Sequence, residues 1–220
     1  MSRQPLPQIP ASFAEVKLVE EVELIRAGQV GESVELELAL NEVREAVHRV
    51  KWPPGSNEFY IYPESGKKRG RGNGVVPIKK EFMKAIGDLG WGTEEDFPVD
   101  AAVDGSAFGE MDASKRFNDH LFLVEWETGN ISSSHRSLNK AGIGLVNGVV
   151  AGAVIIVPSG RLAPFLTDRI GNIRELRGYF PLFRSLQVDN GFLAVFCIEQ
   201  DADSYDVPRI PKGTDGRAME

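Results

Sequence analysis

Cysteine is nearly missing from this chain: Cys197 is the only one in 220 residues, so no disulfide forms within it. Its setting in the apolar run GFLAVFCIE marks it as a core residue rather than a reactive thiol. Histidine is scarce as well, at three residues, and no His-rich or Cys-rich spacing suggests a zinc site. Neither a P-loop nor a nucleophile elbow is present. No apolar run approaches the roughly 18 residues that a membrane-crossing helix needs. The N-terminal MSRQPLPQIP carries prolines where a secretory signal would carry its apolar segment. The expectation is a soluble intracellular protein with no membrane partner.

What is present is ordinary for a globular chain, with 42% apolar and 26% charged residues. The 23 glycines and 13 prolines call for many turns and short elements. The length suits one domain spanning residues 1–220. A net charge of −7 argues against a nonspecific polyanion binder. The sum is a blunt measure, because a site that gathers carboxylates around metal ions lowers it while a basic groove alongside still faces DNA.

Apolar spacing predicts helices over residues 12–28, with Ser12 as cap and Gly28 as stop, and over 33–50, although VELELAL in the second also alternates like a strand. The loop-rich segment that follows holds a short FYIY strand and a basic run, Lys67, Lys68, Arg69 and Arg71, within 63–74. That run is either a solvated loop or a phosphate-contacting one. PIKKEFMKAIGDL, 77–89, is a helix with proline in its permissive first turn. Buried strands are predicted at His120 to Glu127, Val149 to Pro158 and Gly191 to Glu199. Between them lie helices near 132–147, 162–167 and 173–183, the first with Gly142 and Gly144 for close packing. A proline-punctuated, extended C-terminal arm occupies 207–220. Strands alternating with helices give an α/β class.

The chemistry concentrates in VEWETGNISSSHRSLNK, Val124 to Lys140. In a strand Glu125 and Glu127 project side by side. Two carboxylates so close at the edge of a core repel each other and lose hydration. A divalent cation answers both, and oxygen ligands suit magnesium, with Glu94 and Asp112 available to complete the set. Salt bridges at a sheet edge, or an acid–base pair acting on a sugar, are the other readings. Asn130 and Ser132 to Ser134 surround a helix start, where one of them would serve as cap. The surplus of donors and acceptors, with Arg136 one turn further in, suits reading base edges in a major groove. His135 reads as structural or solvent-facing. In LTDRIGN, Asp168 and Arg169 are either a cap and a surface cation or a reader of cytosine and guanine.

Four separated blocks, NGVVPIK (Asn73 to Lys79), ETGNISSSHRSLNK (Glu127 to Lys140), LTDR (Leu166 to Arg169) and VPRIPKGTDG (Val207 to Gly216), together resemble the BamHI-type restriction endonucleases. A fifth, weaker block, GEMDASKRF, looks like that family's strand bearing the catalytic aspartate. The resemblance implies a restriction-endonuclease-like α/β fold: a central mixed β-sheet with helices on both sides, in the PD-(D/E)xK variant where glutamate replaces the lysine. It implies Asp112, Glu125, Glu94 and the backbone at Trp126 as Mg2+ ligands, Glu127 as the group that activates or positions the attacking water, and Lys79 as an active-site or phosphate-contacting lysine. Asp104 and then Asp100 are the alternatives to Asp112, which stands thirteen positions before Glu125.

For recognition the resemblance implies Asn130, Ser132, Arg136, Asp168 and Arg169 in the major groove of the palindrome GGATCC. Lys212 and Gly213 fall in an arm directed at the minor groove. A palindrome asks for a homodimer that cuts both strands of double-stranded DNA to leave 5′-phosphate ends. The implied setting is a prokaryotic cytoplasm with a cognate DNA methyltransferase in the same host.

Overall fold

The computed structural model describes residues 17–68, 70–96, 110–167 and 169–212. Its centre is a six-stranded mixed sheet in the order β1-β7-β6-β5-β4-β3. The strands are β1 (Lys17–Ala27), β3 (Gly92–Asp96), β4 (Glu110–Phe117), β5 (His120–Trp126), β6 (Gly152–Pro158) and β7 (Gly191–Glu199). β5, β6 and β7 run parallel, while β1, β4 and β3 pair antiparallel. A separate two-stranded parallel sheet joins β2 (Tyr60–Ile61) to β8 (Ala202–Asp203).

β6 is buried at every residue and β7 at all but its last, as parallel strands covered on both faces require. One face carries α2 (Val34–His48) and α3 (Val76–Asp88), which pack on Phe122, Val124, Trp126, Phe192 and Phe196. The other carries α4 (Ile131–Val146) with the short α5 (Ile173–Leu176) and α6 (Phe180–Arg184), over Leu121, Leu123, Ile155, Leu193 and Val195. Each large apolar side chain so buried contributes about 1.5–3 kcal/mol. The mixed sheet with helices on both sides is as expected, and Cys197 lies in the core, its thiol pushed up to about 12 by burial.

Three predicted elements are corrected. Residues 17–27 are not helix but the edge strand β1, and Gly28 does not stop a helix: it begins the four-residue α1 (Gly28–Gly31). Ser12 lies outside the described residues. The helix predicted near 162–167 is only a 3-10 turn, Ala163–Phe165, and the one near 173–183 is broken into α5, a 3-10 turn and α6. Pro181 in the first turn of α6 has no N–H to offer the preceding turn. The α2 prediction holds, with the Ser33 hydroxyl accepting from the Leu36 amide. Gly142 lets α4 settle on Phe183 and Leu186, where a Cβ would meet Leu186 at 3.2 Å.

Candidate active site and DNA-facing rim

Strand alternation sends Leu121 and Leu123 to the α4 side, and Glu125 and Glu127 follow them. The chain stays extended one residue past β5, where the Glu127 amide donates to the Ile156 carbonyl at 2.8 Å. β4 and β5 are joined by a hairpin whose last paired residues are Phe117 and His120. At the hairpin's open end Ala113 opposes Val124, so Asp112 sits beside Glu125. The Asp112 carboxylate is fixed there because its Oδ2 accepts from the Trp126 amide at 2.8 Å. Trp126 itself buries its ring against Phe82, 4.7 Å between centroids.

A cavity of about 690 Å³ opens over these strand ends. Lys79, Glu94, Asp112, Glu125, Trp126, Glu127 and Arg136 all line it, so seven of the residues singled out from sequence converge. Each of three carboxylates meets a different donor. Lys79 Nζ is 2.6 Å from Asp112 Oδ1, Lys140 Nζ is 2.9 Å from Glu125 Oε1, and the Ser137 hydroxyl donates to Glu127. Glu94, exposed on β3, has a φ of 55°, in the left-handed region that a side chain rarely adopts.

Burial, reinforced by the Asp112 charge, raises the Glu125 carboxyl to about 7 against the lowering pull of Lys140. Burial raises Glu127 too, opposed by the Ser137 hydrogen bond. Among the described residues no three His, Cys, Asp or Glu side chains are clustered closely enough to hold a metal ion. The donor chemistry nevertheless suits a hard divalent cation: Glu94, Asp112, Glu125 and Glu127 line one cavity and offer only oxygen ligands.

Sequence reasoning missed Lys140 and Ser137. Their signal lay in the spacing of Ser133, Arg136, Ser137 and Lys140, which share one face of α4 and line the cavity together. The salt-bridge reading of the two glutamates is met at one of them, since buried Lys140 pairs with Glu125. Asn73 was also missed, though it stands in NGVVPIK. It is fully buried, donates to the Tyr62 and Phe165 carbonyls at 2.8 and 2.9 Å, and accepts from the Ile210 amide at 3.1 Å. It thus fastens the basic loop, the Leu166 segment and the C-terminal arm to one another. Gly74 follows because a Cβ there would lie 1.9 Å from the Pro211 carbonyl.

Of the other predicted residues that the structure describes, Asn130, Ser132, Arg169 and Lys212 do not line the cavity. Asn130 caps α4, its side-chain oxygen accepting from the Ser132 and Ser133 amides at 2.9 and 3.2 Å. Ser132 lines an adjacent groove with His135, Arg136, Asn139 and Lys140. Asn130 bridges Ile170, which brings exposed Arg169 to the same end of α4. Gly171 permits that approach, since a Cβ would meet the Ile131 backbone at 2.9 Å. Arg169 has a φ of 66°. Lys212 donates to the Arg71 carbonyl, tying the arm to the basic loop. Asp168, Gly213, Arg69, Asp100 and Asp104 lie outside the described residues.

This sheet, with acidic strand ends beneath a polar helix start, has the architecture of a restriction endonuclease. The structure of the BglII restriction endonuclease complexed with a DNA 16-mer shares the fold, with a TM-score of 0.58 over 82% of this chain and 77% of that one at 10% identity. The sequence profile described as Restriction endonuclease BamHI matches residues 16–217. The chain is 42% identical to the Type II restriction enzyme OkrAI of Oceanobacter kriegii over 182 residues, 83% of this chain and 90% of that protein. It is 37% identical to the Type II restriction enzyme BamHI of Bacillus amyloliquefaciens over 189 residues, 82% of this chain and 83% of that protein. The chain belongs to the BamHI restriction endonuclease family, and is a Type II site-specific deoxyribonuclease.

Proposed function

We propose that the protein is a Mg2+-dependent homodimeric endonuclease that cuts double-stranded DNA within GGATCC and leaves 5′-phosphate ends. The observation that carries this reading is the double use of α4. One face of the helix closes the carboxylate cavity with Ser137 and Lys140, while its exposed start bears Ser132 and Arg136 beside Arg169. Cleavage and base reading are thereby held at a fixed distance by one rigid element.

Asp112 and Glu125, with Glu94 and the Trp126 backbone, would hold the metal, whose chemistry is to polarise the scissile phosphate and acidify a water. Glu127 lies over the same cavity, and its raised proton affinity suits it to take a proton from the attacking water. Lys79, partly exposed at the cavity mouth, offers its ammonium to the phosphate. Arg136 and Arg169 would read guanine on the outer pairs, with Asp168 accepting from cytosine. Ser132 and Asn130 would serve the central A·T pairs. Because capping engages the Asn130 oxygen, its amide nitrogen is the group for the bases. The arm at Lys212 and Gly213 is directed at the minor groove.

Incubating the protein with mixed-sequence plasmid and magnesium, then mapping the ends, tests this. Cuts at GGATCC with 5′ phosphates are expected. Cuts at another GATC-centred site would overturn the specificity, and tight binding without cleavage would overturn the metal chemistry. The dimer is checked by sedimentation, and the N-terminus of α4 should footprint with its two-fold copy on one palindrome.

A further inference from the structure

We infer that Lys140 is the resting counter-ion of Glu125, which yields that carboxylate to a divalent cation and so suppresses metal binding by the DNA-free protein. The inference rests on reading this cavity as metal-dependent. Lys140 is buried, and its ammonium has two partners, Glu125 Oε1 and the Glu110 carbonyl, each at 2.9 Å. Lys79, by contrast, reaches Asp112 with a side chain 38% exposed. A buried charge left without its partner is costly, so a cation that takes Glu125 must displace the ammonium and replace its charge.

The displaced ammonium has somewhere to go. Lys140 lines both the carboxylate cavity and the adjacent groove, where Ser132, His135, Arg136 and Asn139 are its neighbours. That groove lies on the recognition side of α4, so a DNA phosphate is the acceptor that would receive it. The consequence is coupling: DNA draws Lys140 away from Glu125 and raises metal affinity, and the metal raises DNA affinity by the same factor. Lys140 is therefore a positioning residue acting through Glu125, not a catalytic one.

Calcium serves as probe, titrated calorimetrically into the DNA-free protein at mildly alkaline pH. Lys140→Met and Lys140→Gln should bind calcium about 10- to 100-fold more tightly than the wild type, the scale of removing one nearby positive charge. Lys84→Met, which removes a solvent-exposed pair with Asp88, should change nothing. Unchanged or weaker binding in folded Lys140 variants overturns the inference and leaves the metal reading intact. Calcium binding that survives Glu125→Gln undiminished overturns the metal reading, and the inference with it. Should the Lys140 variants not fold, side-chain ammonium NMR of the wild type decides. A Lys140 signal protected from exchange without metal should lose its protection at saturating calcium, and one that stays protected contradicts displacement.

Discussion

Glu125, Glu127, Ser137 and Lys140, at the floor of the cavity, are all buried and paired, whereas Ser132 and Arg136 on its rim are exposed. Both sets lie within one strand end and one helix. At the floor, burial strips hydration from the charges, so every carboxylate is held by a particular donor and its proton affinity shifts. On the rim, water still solvates the groups, and they are available to DNA. Altering the floor should change chemistry and stability, and altering the rim should change only what is recognised.

The largest effect expected is on cleavage. Glu127→Ala should slow it by roughly 10²–10⁴-fold while specific DNA binding, measured by gel shift, stays nearly intact. The next concerns how the rim is seated. Asn73→Ala removes the three hydrogen bonds of a fully buried side-chain amide. It should cost about 2–3 kcal/mol, lower the thermal midpoint by roughly 5–10 °C and expose residues 207–212 to proteolysis. An unchanged proteolysis pattern would mean that the arm is held elsewhere.

The floor also predicts a pH dependence. Folding raises the Glu125 carboxyl from 4.5 to about 7, so between these values the folded protein keeps a proton that the unfolded chain has released. Stability of the metal-free protein therefore falls as pH rises through that window, by about 3 kcal/mol. Glu125→Gln cannot ionise and should flatten the profile of urea midpoints; a mutant profile parallel to the wild type would locate the effect in other groups. Smallest is the rim effect. Arg136→Ala should weaken specific binding by about 1–3 kcal/mol and move stability by no more than about 0.5 kcal/mol.

The sequence made the helix–strand order after residue 33 largely readable, because those elements carry clean periods. β1 was misread for a physical reason. Two irregularities in its pairing with β7, at Leu18/Glu20 and Glu23/Ile25, break the two-residue alternation of a strand. Val22, Leu24 and Ile25 consequently all face the core, and their spacing imitates a helix. The site was legible where its residues are neighbours in sequence, as with Glu125 and Glu127. It was opaque where the partner comes from another element: Lys140 is one helix away and Lys79 lies on α3, and periodicity carries no record of which charge meets which. Asn73 was hidden because its three partners come from three distant segments.

The separation of floor from rim is tested most directly by measuring binding and cleavage on one GGATCC duplex for Glu127→Ala and Arg136→Ala side by side, with calcium for binding and magnesium for cleavage. The account predicts opposite patterns: Glu127→Ala binds and does not cut, while Arg136→Ala binds poorly yet keeps its turnover on DNA that saturates it. Proportional loss of binding and turnover in both variants would contradict it.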